Sequence, residues 1–240
     1  MTTRPSSRPL IVAHRGAAAI APEHTIPAYE AAVAAGADAL WLDVQETADE
    51  QLVVLHDDRL ERTTNGRGSV RERTVRELKR LDAGRWFGWR FRGQRVQTLS
   101  EVLERFRDRA GFVVALRAGS DVYPGIEERA LGLLHLHGAA DRALVASYDH
   151  HALARCHALD DDITLAACVA GRLLDPGGLA PPGLLTALCL DAGLILEQDV
   201  GACRDAGLEC YLSGVAGAAD ARRLAAWRPT ALVMGSGFDF

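Results

Sequence analysis

Nine short apolar runs punctuate the 240-residue chain, at 10–13, 39–44, 52–55, 112–116, 143–146, 164–169, 185–190, 209–212 and 231–234. Helix-patterned stretches rich in Ala, Leu and Arg lie between them, at 27–35, 72–81, 99–109, 126–137, 150–158, 197–206 and 217–226. That alternation predicts a parallel sheet with helices packed outside it. One junction breaks the rhythm. The residues around Ala48-Asp49-Glu50-Gln51 are too few for a parallel crossover, which needs about a dozen. The second and third runs are therefore expected as an antiparallel hairpin, folding His56 back roughly opposite Asp43. Setting that arm aside leaves eight strands. The expected fold is α/β, a TIM (β/α)8-type barrel with an extra β-hairpin arm; an open doubly wound sheet is the runner-up. Residues 10–240 read as a single barrel domain, and residues 1–9 as a flexible leader.

A chain 48% hydrophobic and 25% charged can bury a full core. Its net charge of −5 gives no support for a nucleic-acid partner, so an anionic substrate needs locally placed arginines. No run reaches the roughly 18 apolar residues of a membrane span, and MTTRPSSRPL has no apolar signal-peptide core. The five cysteines, Cys156, Cys168, Cys189, Cys203 and Cys210, are odd in number and lack CxxC spacing. They are expected as buried, reduced thiols of a cytoplasmic protein. Oligomeric state is not legible.

In a barrel of this kind the reactive groups project from the C-terminal ends of the strands. His14 and Arg15 end the first strand, and His56 ends the hairpin arm. Two imidazoles suit phosphodiester cleavage: one takes a proton from the attacking hydroxyl and the other gives one to the departing alkoxide. A guanidinium can hold two phosphate oxygens in a fork, and Gly16 lets the backbone come close to a ligand.

Several ordered motifs carry a resemblance. They are AHRG at 13–16, APEHT at 21–25, GADALWLDVQET at 36–47, VVLHDDRLERTTNGRG at 53–68, LDAGRWFG at 81–88 and QTLSEVL at 97–103, with weaker echoes at 143–155 and 205–212. Through them the chain resembles the glycerophosphodiester phosphodiesterase family, with its phosphatidylinositol-phospholipase-C-like barrel. The resemblance implies hydrolysis of a glycerol-type phosphodiester, a catalytic pair His14 and His56 with Arg15 on the phosphate, and a calcium or magnesium ion.

Departures from the family pattern converge on the ion. Where the family strand supplies two carboxylates, Trp41 stands at the Glu position and only Asp43 remains. The strand FVVALRAG has Ala115 at a further Glu position and Arg117 at a Lys position. His24 replaces the Asn of the family's P-E-N-T, Ser213–Ala216 replaces its W-T-V-N, and VMGSG lacks the usual T-D ending. A hard divalent cation wants about six oxygen ligands, and Asp43 with Glu23 are too few. No cofactor is expected, Arg117 is a second phosphate-binding candidate, and Trp41 and His24 are expected to line the pocket. Trp41 either plugs the space left by the ion or stacks on a substrate group.

Three readings follow. The first is a phosphodiester hydrolase working without the usual metal on a small-molecule phosphodiester or phospholipid headgroup. The second is an inactive barrel that binds the same phosphate or headgroup. The third is a repurposed enzyme running a lyase or cyclisation reaction. The aromatic, basic segment within 57–98 is either an excursion packed on the rim or a substrate lid. His135, His137, His150, His151 and His157 are expected outside the site, Glu197 and Asp199 as helix caps, and Asp191, at a strand end, as a further site candidate.

Overall fold

The structure, a computed structural model, describes residues 8–238. Its strands are β1 (Leu10–His14), β2 (Ala39–Glu46), β3 (Leu52–Val54), β4 (Gln97–Thr98), β5 (Gly111–Leu116), β6 (Ala143–Ser147), β7 (Thr164–Val169), β8 (Ala187–Asp191), β9 (Glu209–Val215) and β10 (Ala231–Met234). The helices are α1 (Ile26–Ala34), α2 (Val75–Leu78), α3 (Leu99–Phe106), α4 (Ile126–Leu136), α5 (His150–Leu159), α6 (Glu197–Asp205) and α7 (Ala218–Ala225). Eight strands pair in parallel in the order β1-β10-β9-β8-β7-β6-β5-β2, and β1 pairs with β2 to close the ring. The expected barrel is therefore present, with β3 and β4 added antiparallel to β2 as the hairpin arm.

Alternation along each strand sorts the side chains between two layers. Leu40, Leu42 and Val44 of β2 face the helices, and the same layer holds Tyr29 of α1 and Phe106 of α3. The two rings meet edge to face with centroids 5.8 Å apart. The inner layer carries six alanines, Ala39, Ala115, Ala146, Ala166, Ala187 and Ala231. Such small residues leave room for the two large inner aromatics, Trp41 and Tyr211.

The β2–β3 connection is a three-residue loop, Ala48-Asp49-Glu50. Thr47 N–H donates to the Gln51 carbonyl, and Glu50 adopts a left-handed φ of 58°. This loop pairs Val44 with Val54 and lets Leu55 N–H donate to the Asp43 carbonyl. Leu55, not His56, therefore lies opposite Asp43, and His56 sits one residue further on. The expected position was one residue off because turn length, which fixes register, is invisible to apolar patterning.

Residues 57–98 pack as a rim excursion with its own small core. Leu60, Val70, Leu78, Ala83 and Val96 cover Val53 and Leu55 of the arm. The helix expected over 72–81 shrinks to α2, which a Thr74–Glu77 capping box starts. Asp82 shapes the following loop by accepting from the backbone N–H groups of Gly84, Arg85 and Gly93. Residues 1–7 of the expected leader lie outside the described residues. Arg8 and Pro9, assigned to the same leader, are held in place: Arg8 donates to Asp38 at 2.9 Å, and Pro9 is buried. No helix among the described residues is long and apolar enough to cross a membrane.

Candidate active site

The C-terminal end of β1 delivers His14 and then turns sharply. Arg15 takes a left-handed φ of 60° and Gly16 one of 82°. A side chain at Gly16 would also meet Ala28 of α1 at 2.8 Å, so the loop presses directly on the helix. His24 closes the loop, again left-handed at φ 56°, and its N–H donates to the Arg15 carbonyl at 3.0 Å. Arg15 and His24 are two of the four described non-glycine residues with positive φ. Strain of this kind is held where surrounding contacts over-determine it.

His14 pairs in register with Trp41, and its ring meets the indole edge-on at a centroid distance of 5.8 Å. Among the described residues its ring nitrogens have no hydrogen-bond partner. Burial, then the Arg15 charge, then His24 and His56, depress its pKa to about 4 against the pull of Asp43. His14 is therefore a neutral imidazole near pH 7, with a lone pair to offer.

Asp43 lies inward on β2 beneath that mouth, 2% exposed. His24 Nε2–H donates to its Oδ2 at 2.9 Å, and Trp41 Nε1–H donates to its Oδ1 at 3.1 Å. Arg15 Nε stands 3.3 Å from Oδ2. Because a carboxylate only accepts, His24 carries its proton on Nε2; in the neutral ring Nδ1 then accepts from the Tyr29 hydroxyl at 2.8 Å. Burial opposes ionisation of Asp43. The His24 hydrogen bond and the charges of His24, Arg15 and His14 outweigh it, holding the carboxyl well below its usual range. His24 is 3% exposed, so it does not line the pocket as expected; it stands behind Asp43 as its main donor. Trp41, 6% exposed, plugs the inner layer.

His56 follows β3 and is half-buried. Its Nδ1–H donates to Asp57 Oδ1 at 2.7 Å, which leaves Nε2 as the remaining site for a proton. Burial lowers the His56 pKa, Asp57 and Asp43 oppose that, and Arg15 and Arg117 add to it. Two groups missed by sequence reasoning fix this loop. Gln45 Nε2 donates to the carbonyls of Leu55 and Asp57, at 2.8 and 2.6 Å, one on each side of His56. Tyr123 O–H donates to Gln45 Oε1 at 3.2 Å. Arg62 forks onto both oxygens of Glu23 at 2.7 Å and also holds Asp57, lashing the His56 loop to the loop after β1. The Arg62 hydrogen bond, then burial in the opposite sense, then His56, set the Asp57 carboxyl at about 2. A signal for Gln45 was present in the sequence: a polar residue two positions after Asp43, hence on the same inner face of an apolar strand.

Arg117 extends the inner-facing series Val113, Ala115 beyond the end of β5. It is exposed, and its side chain has no hydrogen-bond or ion-pair partner among the described residues. It lies close enough to His56 to oppose its protonation. The mouth thus holds three guanidiniums, and two of them, Arg15 and Arg62, are already matched to Glu23, Asp43 and Asp57. Asp191 is exposed at the end of β8, where it accepts from Gly193 N–H at 2.8 Å.

These donors do not suit a hard divalent cation. Both Asp43 oxygens accept from protein N–H groups, Glu23 is forked by Arg62 and touched by Arg15, and Ala115 and Trp41 offer no oxygen. Among the described residues the one cluster of three metal-capable groups is Asp160-Asp161-Asp162. It precedes β7 at the opposite end of the barrel. A hollow of about 320 Å³ at that end, between Pro181 and Leu208, has no charged side chain in its lining. His135 and His137 bond to Asp160 and Ser100 at the far end of the barrel, whereas His150, which opens α5 after β6, bonds to the Cys168 carbonyl near the C-terminal end of β7. Asp199 caps α6 through Leu196 N–H.

The fold has counterparts among known structures. A phosphodiesterase from Oleispira antarctica, solved in complex with the product sn-glycerol-3-phosphate, shares the fold with a TM-score of 0.89 at 25% identity, covering 96% of this chain and 94% of that one. A glycerophosphodiester phosphodiesterase from Agrobacterium tumefaciens C58 gives 0.85 at 29% identity, covering 95% and 96%. In sequence, the glycerophosphodiester phosphodiesterase of Bacillus subtilis 168 is 33% identical over 93% of this chain and 82% of its own. One from Caldanaerobacter subterraneus is 38% identical over 71% of each. The model of the glycerophosphoryl diester phosphodiesterase family matches residues 14–234. Sequence and barrel thus agree: the chain belongs to the glycerophosphoryl diester phosphodiesterase family, a family of phosphoric diester hydrolases.

Proposed function

We propose that the protein hydrolyses a small glycerophosphodiester, with His14 as general base and His56 as general acid, and without a divalent cation. His14 is the better base because burial and Arg15 keep it unprotonated. His56 is the better acid because its Nδ1–H bond to Asp57 favours the charged ring. His14 takes the proton of an attacking water as the water oxygen bonds to phosphorus and the bond from phosphorus to the leaving alkoxide breaks. His56 protonates the leaving alkoxide, and exchange with solvent resets both rings. Arg117, with no internal partner, meets the phosphate oxygens, and Arg15 backs it from the loop. Preorganised positive charge of this kind is worth about 3–4 kcal/mol per strong donor in the transition state.

The observation that carries this reading is that each Asp43 oxygen already accepts a hydrogen bond, from His24 and from Trp41, with the Arg15 guanidinium 3.3 Å away, beside a neutral, unpartnered His14. At the positions where the resemblance implies ion-holding carboxylates stand Trp41 and Ala115, and Asp43 and Glu23 are held by N–H donors and guanidiniums. The five cysteines, all free and buried, support the cytoplasm as its compartment. The test is release of alcohol from glycerophosphodiesters by the purified protein. Release that disappears in both His14→Ala and His56→Ala is the expected result. A second reading, phosphate or headgroup binding without turnover, draws on Trp41 and Ala115 standing where the family has carboxylates. It predicts phosphate binding that Arg117→Ala abolishes, and no alcohol release under any condition.

A further inference from the structure

We propose that the tip of the rim excursion docks the barrel mouth against an anionic phospholipid bilayer. Residues 83–100 contain four arginines and no carboxylate, in a chain of net charge −5. At the tip, Trp89 is 68% exposed, Trp86 41%, and Ile20 of the neighbouring loop 57%. Soluble surfaces rarely gather large exposed apolar groups without a partner for them. The Arg85 and Arg92 guanidiniums lie 5.5 and 4.9 Å from the centroid of the Trp89 ring. Cations grouped around an amphipathic ring match the bilayer interface, where tryptophan sits at headgroup depth and arginine meets phosphate.

The tip is held in shape rather than loose. Asp82 pins three backbone N–H groups, Ala83 N–H closes the loop onto the Gln94 carbonyl at 2.8 Å, and Trp86, Phe87 and Phe91 pack edge to face beneath it. Arg90 donates to the Ile20 carbonyl at 3.0 Å, so the tip is joined to the same β1–α1 loop that carries Arg15 and Glu23. A bilayer touching the tip therefore lies beside the mouth. Ile20 has no stacking face, which favours an acyl boundary over nucleic-acid bases as the partner. The inference goes beyond the hydrolytic reading and stands whether or not that reading holds, since binding is measured without substrate.

The experiment is co-sedimentation of the full chain with vesicles of phosphatidylcholine, alone or mixed with phosphatidylglycerol. The expected result is binding to the mixed vesicles only, weakened by added salt. Each arginine near an anionic surface contributes about fivefold in affinity, so Arg85→Ala with Arg92→Ala should weaken binding about thirtyfold. Trp89→Ala should weaken it severalfold with an unchanged thermal melt, because the side chain is exposed. Equal affinity for neutral vesicles, or unchanged binding in both variants, overturns the proposal. So does finding that Trp89→Ala abolishes self-association or oligonucleotide binding while vesicles are ignored.

Discussion

His14 and His56 are chemically the same residue made into opposites by what surrounds them. Burial and Arg15 drive His14 down to about 4, while Asp57 partly protects the proton of His56 from burial. With His14 as the proposed base, its pKa near 4, and His56 as the proposed acid, depressed below the ordinary histidine value of 6.5, the expected kcat/KM profile is bell-shaped and centred on the acidic side of neutrality. The acid limb reports His14 and the alkaline limb His56; a rate still rising above pH 7 contradicts the assignment. His24 makes a second prediction at this scale. Removing it leaves a buried carboxylate without its main donor, so His24→Ala should lower unfolding stability by about 3–5 kcal/mol. His24→Asn, which keeps an N–H donor, should lose less; denaturant titration measures both. His14, Arg15 and His56 were legible from their places at strand ends. The donors to Asp43 were not: His24 acts across 19 residues of sequence, and Arg62 reaches Glu23 across 39. Partners that meet only after barrel closure leave no local pattern.

At the scale of elements, the site depends on two loops held by borrowed groups. Gln45 grips the carbonyls on either side of His56, and Tyr123 orients Gln45. Gln45→Leu keeps the strand apolar but frees the loop, so kcat should fall about tenfold to hundredfold with a smaller change in KM. An unchanged kcat would show that the loop holds itself. The β1–α1 loop depends on Gly16, whose φ of 82° and contact with Ala28 admit no side chain. The strand list was readable because short apolar runs separated by helical periods have few alternative solutions, whereas the direction of Arg117 was left open because a one-residue slip reverses it. The β2–β3 register was misplaced by one residue, and β4 was missed, because turn geometry and a two-residue edge strand leave little hydrophobic signature.

For the whole molecule, the same electrostatics link the site to stability. His14 binds a proton near pH 6.5 when unfolded but only near pH 4 when folded. The unfolded chain therefore takes up more protons between those values, and stability falls as pH drops through that window. The shift amounts to roughly 3 kcal/mol, so His14→Gln should flatten the unfolding curve between pH 6.5 and pH 4. Below that window Asp57 and Asp43 protonate in turn, and stability declines further in the wild type and the variant alike. Over the closed barrel, the positive charge of Arg15 and Arg62 is spent on the protein's own carboxylates, which leaves Arg117 facing the mouth. The measurement that tests this arrangement most directly is the rate of alcohol release from a glycerophosphodiester in strong chelator, compared with the rate in added calcium or magnesium. The account predicts equal rates under both conditions, abolished together by Arg117→Ala. Activity that appears only with the added ion contradicts it.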